Sequence, residues 1–303
     1  MYKAAIDLGT NSLRALVAKL NSDKSLDIVF EKAYLCRMGE KLNETKNIQA
    51  ISMARAIEAL QDIRSHFDIL GVSDYNFVAT SALRDAINAQ EFTDKVNGLG
   101  LNMQIISGQE EAKIIAKAVN FFLPGISDNS VFIDQGGGSI EFVHHFGAES
   151  RATETVQSLD IGVVRLYEKF FHNNPPISSE ILSFNNYFKQ ALTSHVSTIA
   201  EKKPDQAIII GGTGATLAKL MLGLESFDSN LIHGSEVSLE FAQSFAAVIQ
   251  NLSALQVKEK YNLESKRADI ILAGTLQIIE LLNFFQLHSF VVSDRGLRYG
   301  LLL

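Results

Sequence analysis

Val131 to Phe142 reads VFIDQGGGSIEF. An apolar, strand-forming run ends on an acid, Asp134, and is followed by Gly136, Gly137, Gly138 and Ser139. A second strand-like run, Ile140 to Val143, carries Glu141. Strand, glycine turn and returning strand predict a hairpin. Glycine lets the turn take a positive φ and lets a ligand approach bare N–H groups. Successive N–H groups in such a turn form an anion-binding concavity. Asp134 beside it is a candidate for holding a cation or a water, because phosphate sites usually pair N–H donors with Mg2+. The competing reading is an ordinary glycine hairpin with a capping Asp.

The first residues, AAIDLGTNSLRALVAKL, repeat this pattern. With Asp7 placed on Asp134, Gly9 falls on Gly136, Ser12 on Ser139, Leu13 on Ile140 and Arg14 on Glu141; the offset is 134 − 7 = 127 residues. An internal repeat fixes architecture before any local detail does. It predicts two halves, each opening on a strand, a phosphate turn and a strand. Two such hairpins facing one another across a cleft would grip one phosphate from both sides.

At 303 residues the chain is long for one core and comfortable for two domains. A hydrophobic content of 47% with 20% charged residues is ordinary for an α/β protein. The net charge of −7 argues against broad nucleic-acid binding, which needs a basic face, but a few arginines in one cleft still suit an anionic substrate. The single cysteine, Cys36, excludes an intrachain disulfide and argues against structural zinc. No signal peptide is visible and no apolar run reaches the ~20 residues of a membrane span. A cytoplasmic protein is the default expectation.

Strands alternate with helices along both halves, which predicts an α/β fold. Helices are expected over 50–70, 109–122, 178–202, 217–224, 237–252, 265–283 and 294–303, with Pro124-Gly125 and the polar run to Ser130 as the domain boundary. The domains are then 1–124 and 125–291, with the closing segment 292–303 able to pack back on the first. His144-His145, at a strand end, is expected to be solvated.

Gly211 to Thr216, GGTGAT, follows a strand and precedes a helix, so Gly212 and Thr213 are candidates for binding phosphate at a helix start. The turn lacks the Lys of a Walker A loop, and a plain tight turn is the alternative. In Ser107-Gly108-Gln109-Glu110-Glu111, Ser107 and Glu110 have the spacing of a capping box. Glu111 instead shares a face with Ile115, Ala118 and Phe122, an apolar stripe. A carboxylate on a core-facing stripe is unusual unless paired or functional, which makes Glu111 the candidate general base for water. Among the arginines, Arg84 and Arg267 lie beside loops, where an α/β cleft collects ligand groups.

The motifs AIDLGTNSLRALVA, ATSALRDAINAQEF, IISGQEEA, FIDQGGGSIEF, SLDIGVVRL, IIGGTGATLA, RADIILAGTL and VSDRGLRYGLL run in order along the chain. Together they resemble the exopolyphosphatase / guanosine pentaphosphate phosphohydrolase family, in its short two-domain form. The resemblance implies two ribonuclease-H-like domains of the actin-like ATPase superfamily flanking an interdomain cleft. It also implies attack of water on a terminal phosphoanhydride with Mg2+ or another divalent cation. Carried over by motif position, Asp7 and Asp134 would serve the metal, and Glu111 and Glu141 the catalysis. Gly9, Thr10, Asn11, Ser12, Gly136, Gly137, Gly138 and Ser139 would cradle phosphates, and Arg84 and Arg267 would contact them. Gln135 departs from the aliphatic residue usual at its place.

The function expected is release of terminal phosphate from inorganic polyphosphate, from the 5′ end of pppGpp, or both, by a homodimer with neither nucleic acid nor membrane as partner. Two alternatives use the same residues. One is a kinase driven by polyphosphate or a nucleotide; the other is a non-catalytic sensor of guanosine phosphates.

Overall fold

The computed structural model describes residues 2–22, 25–147 and 155–303. By contact the chain divides into two units, one of residues 1–122, 136–138 and 295–303, the other of residues 123–135 and 139–294.

The first unit holds a five-stranded sheet. Its strands are β1 (Lys3–Leu8), β2 (Leu13–Leu20), β3 (Leu26–Tyr34), β4 (Tyr75–Ala79) and β5 (Gln104–Ile105). The order is β3-β2-β1-β4-β5, with β1 antiparallel to β2 and parallel to β4. Strand alternation sends Ala4, Ile6 and Leu8 of β1 to one face, against Met53, Leu60, Ile63 and Phe67 of the helix Ala50–Leu70. Ala5 and Leu16 face the other way, where the helix Gly108–Phe122 contributes Ala118 and Phe122, and the closing segment Tyr299 and Leu302. Asp7, two residues from Ala5, shares that second face.

The second unit repeats the design. Its strands are β6 (Asn129–Gln135), β7 (Ile140–Phe146), β8 (Thr155–Leu159), β9 (Gln206–Ile210), β10 (Glu236–Ser238) and β11 (Ser289–Ser293). The order is β10-β11-β9-β6-β7-β8. Three antiparallel strands are followed by two parallel additions, as in the first unit, and β10 is an extra edge strand. The 127-residue repeat is therefore a repeat of topology, with β1 and β2 matching β6 and β7. Both sheets are mixed and flanked by helices, the α/β architecture expected.

Several helix limits differ from the expectation. The helix predicted over 178–202 breaks at Val196 into Ser178–His195 and Ser197–Ala200. Residues 265–283 form two pieces, Ser265–Ala268 and Ile271–Phe285. Residues 237–252 begin in β10 and become helical at Leu239–Ile249, where the Ser238 hydroxyl accepts from the Phe241 N–H as N-cap. Only Leu297–Gly300 of the closing segment is helical. The helix predicted from Leu217 already begins at Gly212, so GGTGAT is the helix's own first turn.

Candidate active site

Each unit places its own part of the candidate site at its first hairpin. In the first unit, Asp7 on β1 stands in register with Arg14 on β2. Burial holds the Asp7 carboxyl above its ordinary value, an effect that the charges of Arg14 and then Arg298 only partly offset. Arg298 was missed in the sequence; it bonds Glu31 through Nη2 at 2.8 Å from the closing segment. The turn Gly9–Ser12 is closed by the Gly9 N–H donating to Ser12 O at 2.9 Å. The backbone carbonyls of Thr10 and Asn11 accept from Gly39 and Arg37, which fixes the turn from outside. Thr10 Oγ1 and Ser81 Oγ are 2.7 Å apart.

Glu111 is buried, 6% exposed, on the apolar stripe with Ile115, Ala118 and Phe122. Arg84 Nη1 donates to Glu111 Oε2 at 2.9 Å and to the Ile106 carbonyl at 2.9 Å. The buried acid is thus charge-compensated, and Arg84, expected on phosphate, is engaged with Glu111. Glu110 is the cap: its carboxylate accepts from the Ser107 N–H and hydroxyl, each at 2.8 Å, while the Glu110 N–H donates to Ser107 Oγ. Those bonds, the backbone one first, hold the Glu110 carboxyl below its ordinary value.

In the second unit the matching register pair is Asp134 on β6 with Glu141 on β7. A carboxylate oxygen of one lies within 4.8 Å of one of the other. Where the first hairpin sets an acid against a base, the second sets two acids side by side. Like charges directly opposed across a ladder destabilise it, so this pair suits a cation. Glu141 is nearly buried and its Oε1 accepts from Ser158 Oγ on β8 at 2.8 Å. Carboxylate oxygens are the hard donors that Mg2+ prefers.

Gly212 opens the helix Gly212–Met221, and Gly211 before it has φ 123°, open to glycine alone. A Cβ on Gly212 would collide with the guanidinium of Arg267. The structure so brings together Gly212 and Arg267, a guanidinium beside the first turn of a helix. Thr213 differs: its side chain is buried against Gly274, so only its backbone is placed to serve a ligand.

The turn residues Gly136 and Gly137 are partly exposed, whereas Gly138 and Ser139 are buried. Gln135, the residue out of pattern, points into a polar seam. Its Nε2 donates to the Gly274 carbonyl at 2.8 Å and to Gln277 Oε1 at 2.9 Å, and Gln277 Nε2 donates to the Ile161 carbonyl at 2.8 Å. No sequence signal marked Gln277 as its partner. His144 corrects an expectation: it is 5% exposed rather than solvated, because β8 pairs along β7 over it, and Nε2 meets Asn129 Oδ1 at 2.8 Å. Burial accordingly lowers its affinity for a proton.

The model of the Ppx/GppA phosphatase family matches residues 16–303. A bifunctional 3-dehydroquinate synthase/phosphatase of Fusobacterium nucleatum is 31% identical over 99% of this chain and 46% of its own length. Exopolyphosphatase 2 of Mycobacterium tuberculosis is 29% identical over 92% of this chain and 89% of its own length. A guanosine-5'-triphosphate,3'-diphosphate pyrophosphatase of Vibrio atlanticus is 27% identical over 98% of this chain. The chain spans about half the length of the first and third of these, 46% and 58%. A crystal structure of an Aquifex aeolicus Ppx/GppA family member covers 100% of this chain and 96% of its own, with a TM-score of 0.82 and 30% identity.

Proposed function

The chain belongs to the Ppx/GppA phosphatase family, and from that premise we propose that it releases terminal orthophosphate from inorganic polyphosphate, the 5′-phosphate of pppGpp, or both. The observation that carries this reading is the in-register Asp134–Glu141 pair beside a glycine turn. A buried and a half-buried carboxylate next to a bed of N–H donors suit a divalent cation and the phosphate it accompanies.

The roles follow from position. Glu111 takes the proton of the attacking water, held in place by Arg84. Gly9, Thr10, Asn11 and Ser12, with Gly136, Gly137, Gly138 and Ser139, present N–H and hydroxyl donors to phosphate oxygens. Arg267 with the N–H groups of Gly212 and Thr213 adds a second anion site. Asp134 and Glu141, with Asp7, would hold Mg2+, which when bound neutralises charge on the phosphate oxygens. The residues are divided between the two units, so the reading takes both sets to serve one substrate. Glu111 on a buried helix face suits activation of water, and because a kinase's acceptor hydroxyl would use the same base, phosphate release in the absence of any acceptor separates the two readings.

The same reading takes the protein as a cytoplasmic homodimer, with neither nucleic acid nor membrane as partner. Among the described residues no helix is long and apolar enough to cross a membrane. The test is phosphate release from polyphosphate and from pppGpp in parallel, with Mg2+ and again with EDTA. Metal-dependent release from at least one substrate is expected, and the faster one names the activity. Binding without release, or release only when an acceptor is added, contradicts the reading.

A further inference from the structure

Thr10 and Ser81 form a hydroxyl pair inside the first unit. Their oxygens are 2.7 Å apart, Thr10 is 7% exposed and Ser81 is 1% exposed. Gly138 lies against both: a Cβ there would overlap Ser81 Oγ and come within 2.5 Å of Thr10 Oγ1. The third glycine of the turn is thus required by the pair as much as by any ligand.

Two hydroxyls that share one hydrogen bond leave one proton over. The direction of the bond decides which. Among the described residues Thr10 Oγ1 is the one side-chain partner of the Ser81 hydroxyl. If Thr10 donated, the Ser81 proton would be sealed in the interior with no acceptor, a costly arrangement. If Ser81 donates, its proton is satisfied and the Thr10 proton remains, on the less buried residue and on the Gly9–Ser12 turn. A hydroxyl that accepts one bond is also a better donor in the next.

We infer that Ser81 is a positioning residue for Thr10: it donates to Thr10 Oγ1 and turns the Thr10 proton toward a phosphate oxygen of the bound substrate. This rests on the phosphohydrolase reading, and Ser81 itself does not touch the substrate.

The experiment is a double-mutant cycle on binding, read by calorimetry with inorganic tripolyphosphate and Mg2+. Wild type, Ser81→Ala, Thr10→Val and the double variant are compared. Thr10→Val and Ser81→Ala should each weaken binding about tenfold, the worth of one hydrogen bond to a charged group. The double variant should bind no worse than Thr10→Val, because Ser81 acts through Thr10. If Ser81→Ala binds as wild type does, or if the two losses add, the inference is wrong. Should Ser81→Ala fail to fold, Ser81→Cys keeps the shape with a weak donor and is read in the same way. Wild type that binds tripolyphosphate yet releases no phosphate sinks the hydrolase reading alone, and the cycle still decides the role of Ser81. Wild type that does not bind tripolyphosphate overturns the inference, while phosphate release from pppGpp still decides the hydrolase reading.

Discussion

Asp134 and Glu141 stand directly opposite one another across an antiparallel hairpin, with carboxylate oxygens within 4.8 Å. The equivalent pair in the first half is Asp7 with Arg14, an acid facing a base. A duplicated hairpin has kept its backbone and exchanged its electrostatics. Glu141→Gln removes the repulsion, so without metal the variant should be more stable than wild type, by about 1 kcal/mol. Mg2+ at a hundred times its Kd should stabilise wild type by about 2.7 kcal/mol and the variant, which keeps Asp134, by much less. Thermal unfolding with EDTA and with Mg2+ measures both. Equal Mg2+ responses in the two proteins would rule out this pair as the cation site.

The Arg84–Glu111 ion pair is the next target. Its side chains are 19% and 8% exposed, so water screens it little. Arg84→Ala leaves a buried carboxylate without its guanidinium and should cost about 3 kcal/mol. Arg84→Ala/Glu111→Ala should recover much of that loss, since both charges are gone. Urea unfolding of wild type, Arg84→Ala, Glu111→Ala and the double variant gives the coupling. Additive losses would mean that Arg84 and Glu111 do not act as a pair.

Much of this was legible in the sequence, and the reasons are physical. The two hairpins were readable because the glycine turn and its flanking acid recur at a fixed offset, and a repeat carries topology with it. Glu111 was separable from Glu110 because helical spacing puts one on the apolar stripe and the other in a capping box; the hydrogen bonds of Ser107 and the burial of Glu111 follow that division. What was hidden depends on contacts distant in sequence. Arg84 reaches Glu111 across 27 residues. Ser81 meets Thr10 across 71 and Gln135 meets Gln277 across 142, and no local pattern encodes such pairings. Burial of His144 depends on how β8 lies along β7, which its own strand does not state. The helix breaks at Val196 and near Asp269 interrupt apolar periodicity that continues through them, so the pattern alone ran them together.

Gln135 supplies a prediction of opposite signs. Gln135→Leu restores the aliphatic residue usual in the turn but strands Gln277 Oε1 in the interior and takes from the Gly274 carbonyl, which keeps its place in the helix, a second donor. A loss of about 1–3 kcal/mol is expected. Replacing Gln277 by Leu as well should return part of it, though the Ile161 carbonyl then loses its donor. Thermal unfolding that finds Gln135→Leu neutral would remove the buried seam from the account.

The Glu110 cap sets a pH dependence. Its carboxyl is held below the ordinary value of 4.5 by the Ser107 donors. A depressed folded-state value means stability that is present above 4.5 and lost as the pH falls through the lowered value. Wild type should therefore melt above Glu110→Gln at pH 7, with the gap closing on acidification below pH 4.5. A gap that is constant with pH would show that the carboxylate charge is not what caps this helix.

In the proposed reaction Glu111 takes the proton of the attacking water. Initial rates of phosphate release, from whichever of polyphosphate and pppGpp wild type cleaves, should be compared for wild type and Glu111→Gln in Mg2+, with folding of both checked by circular dichroism. A general base contributes about 10²–10⁴-fold, so the variant should be slower by that factor while binding the same substrate. A folded variant that releases phosphate at the wild-type rate would contradict the account.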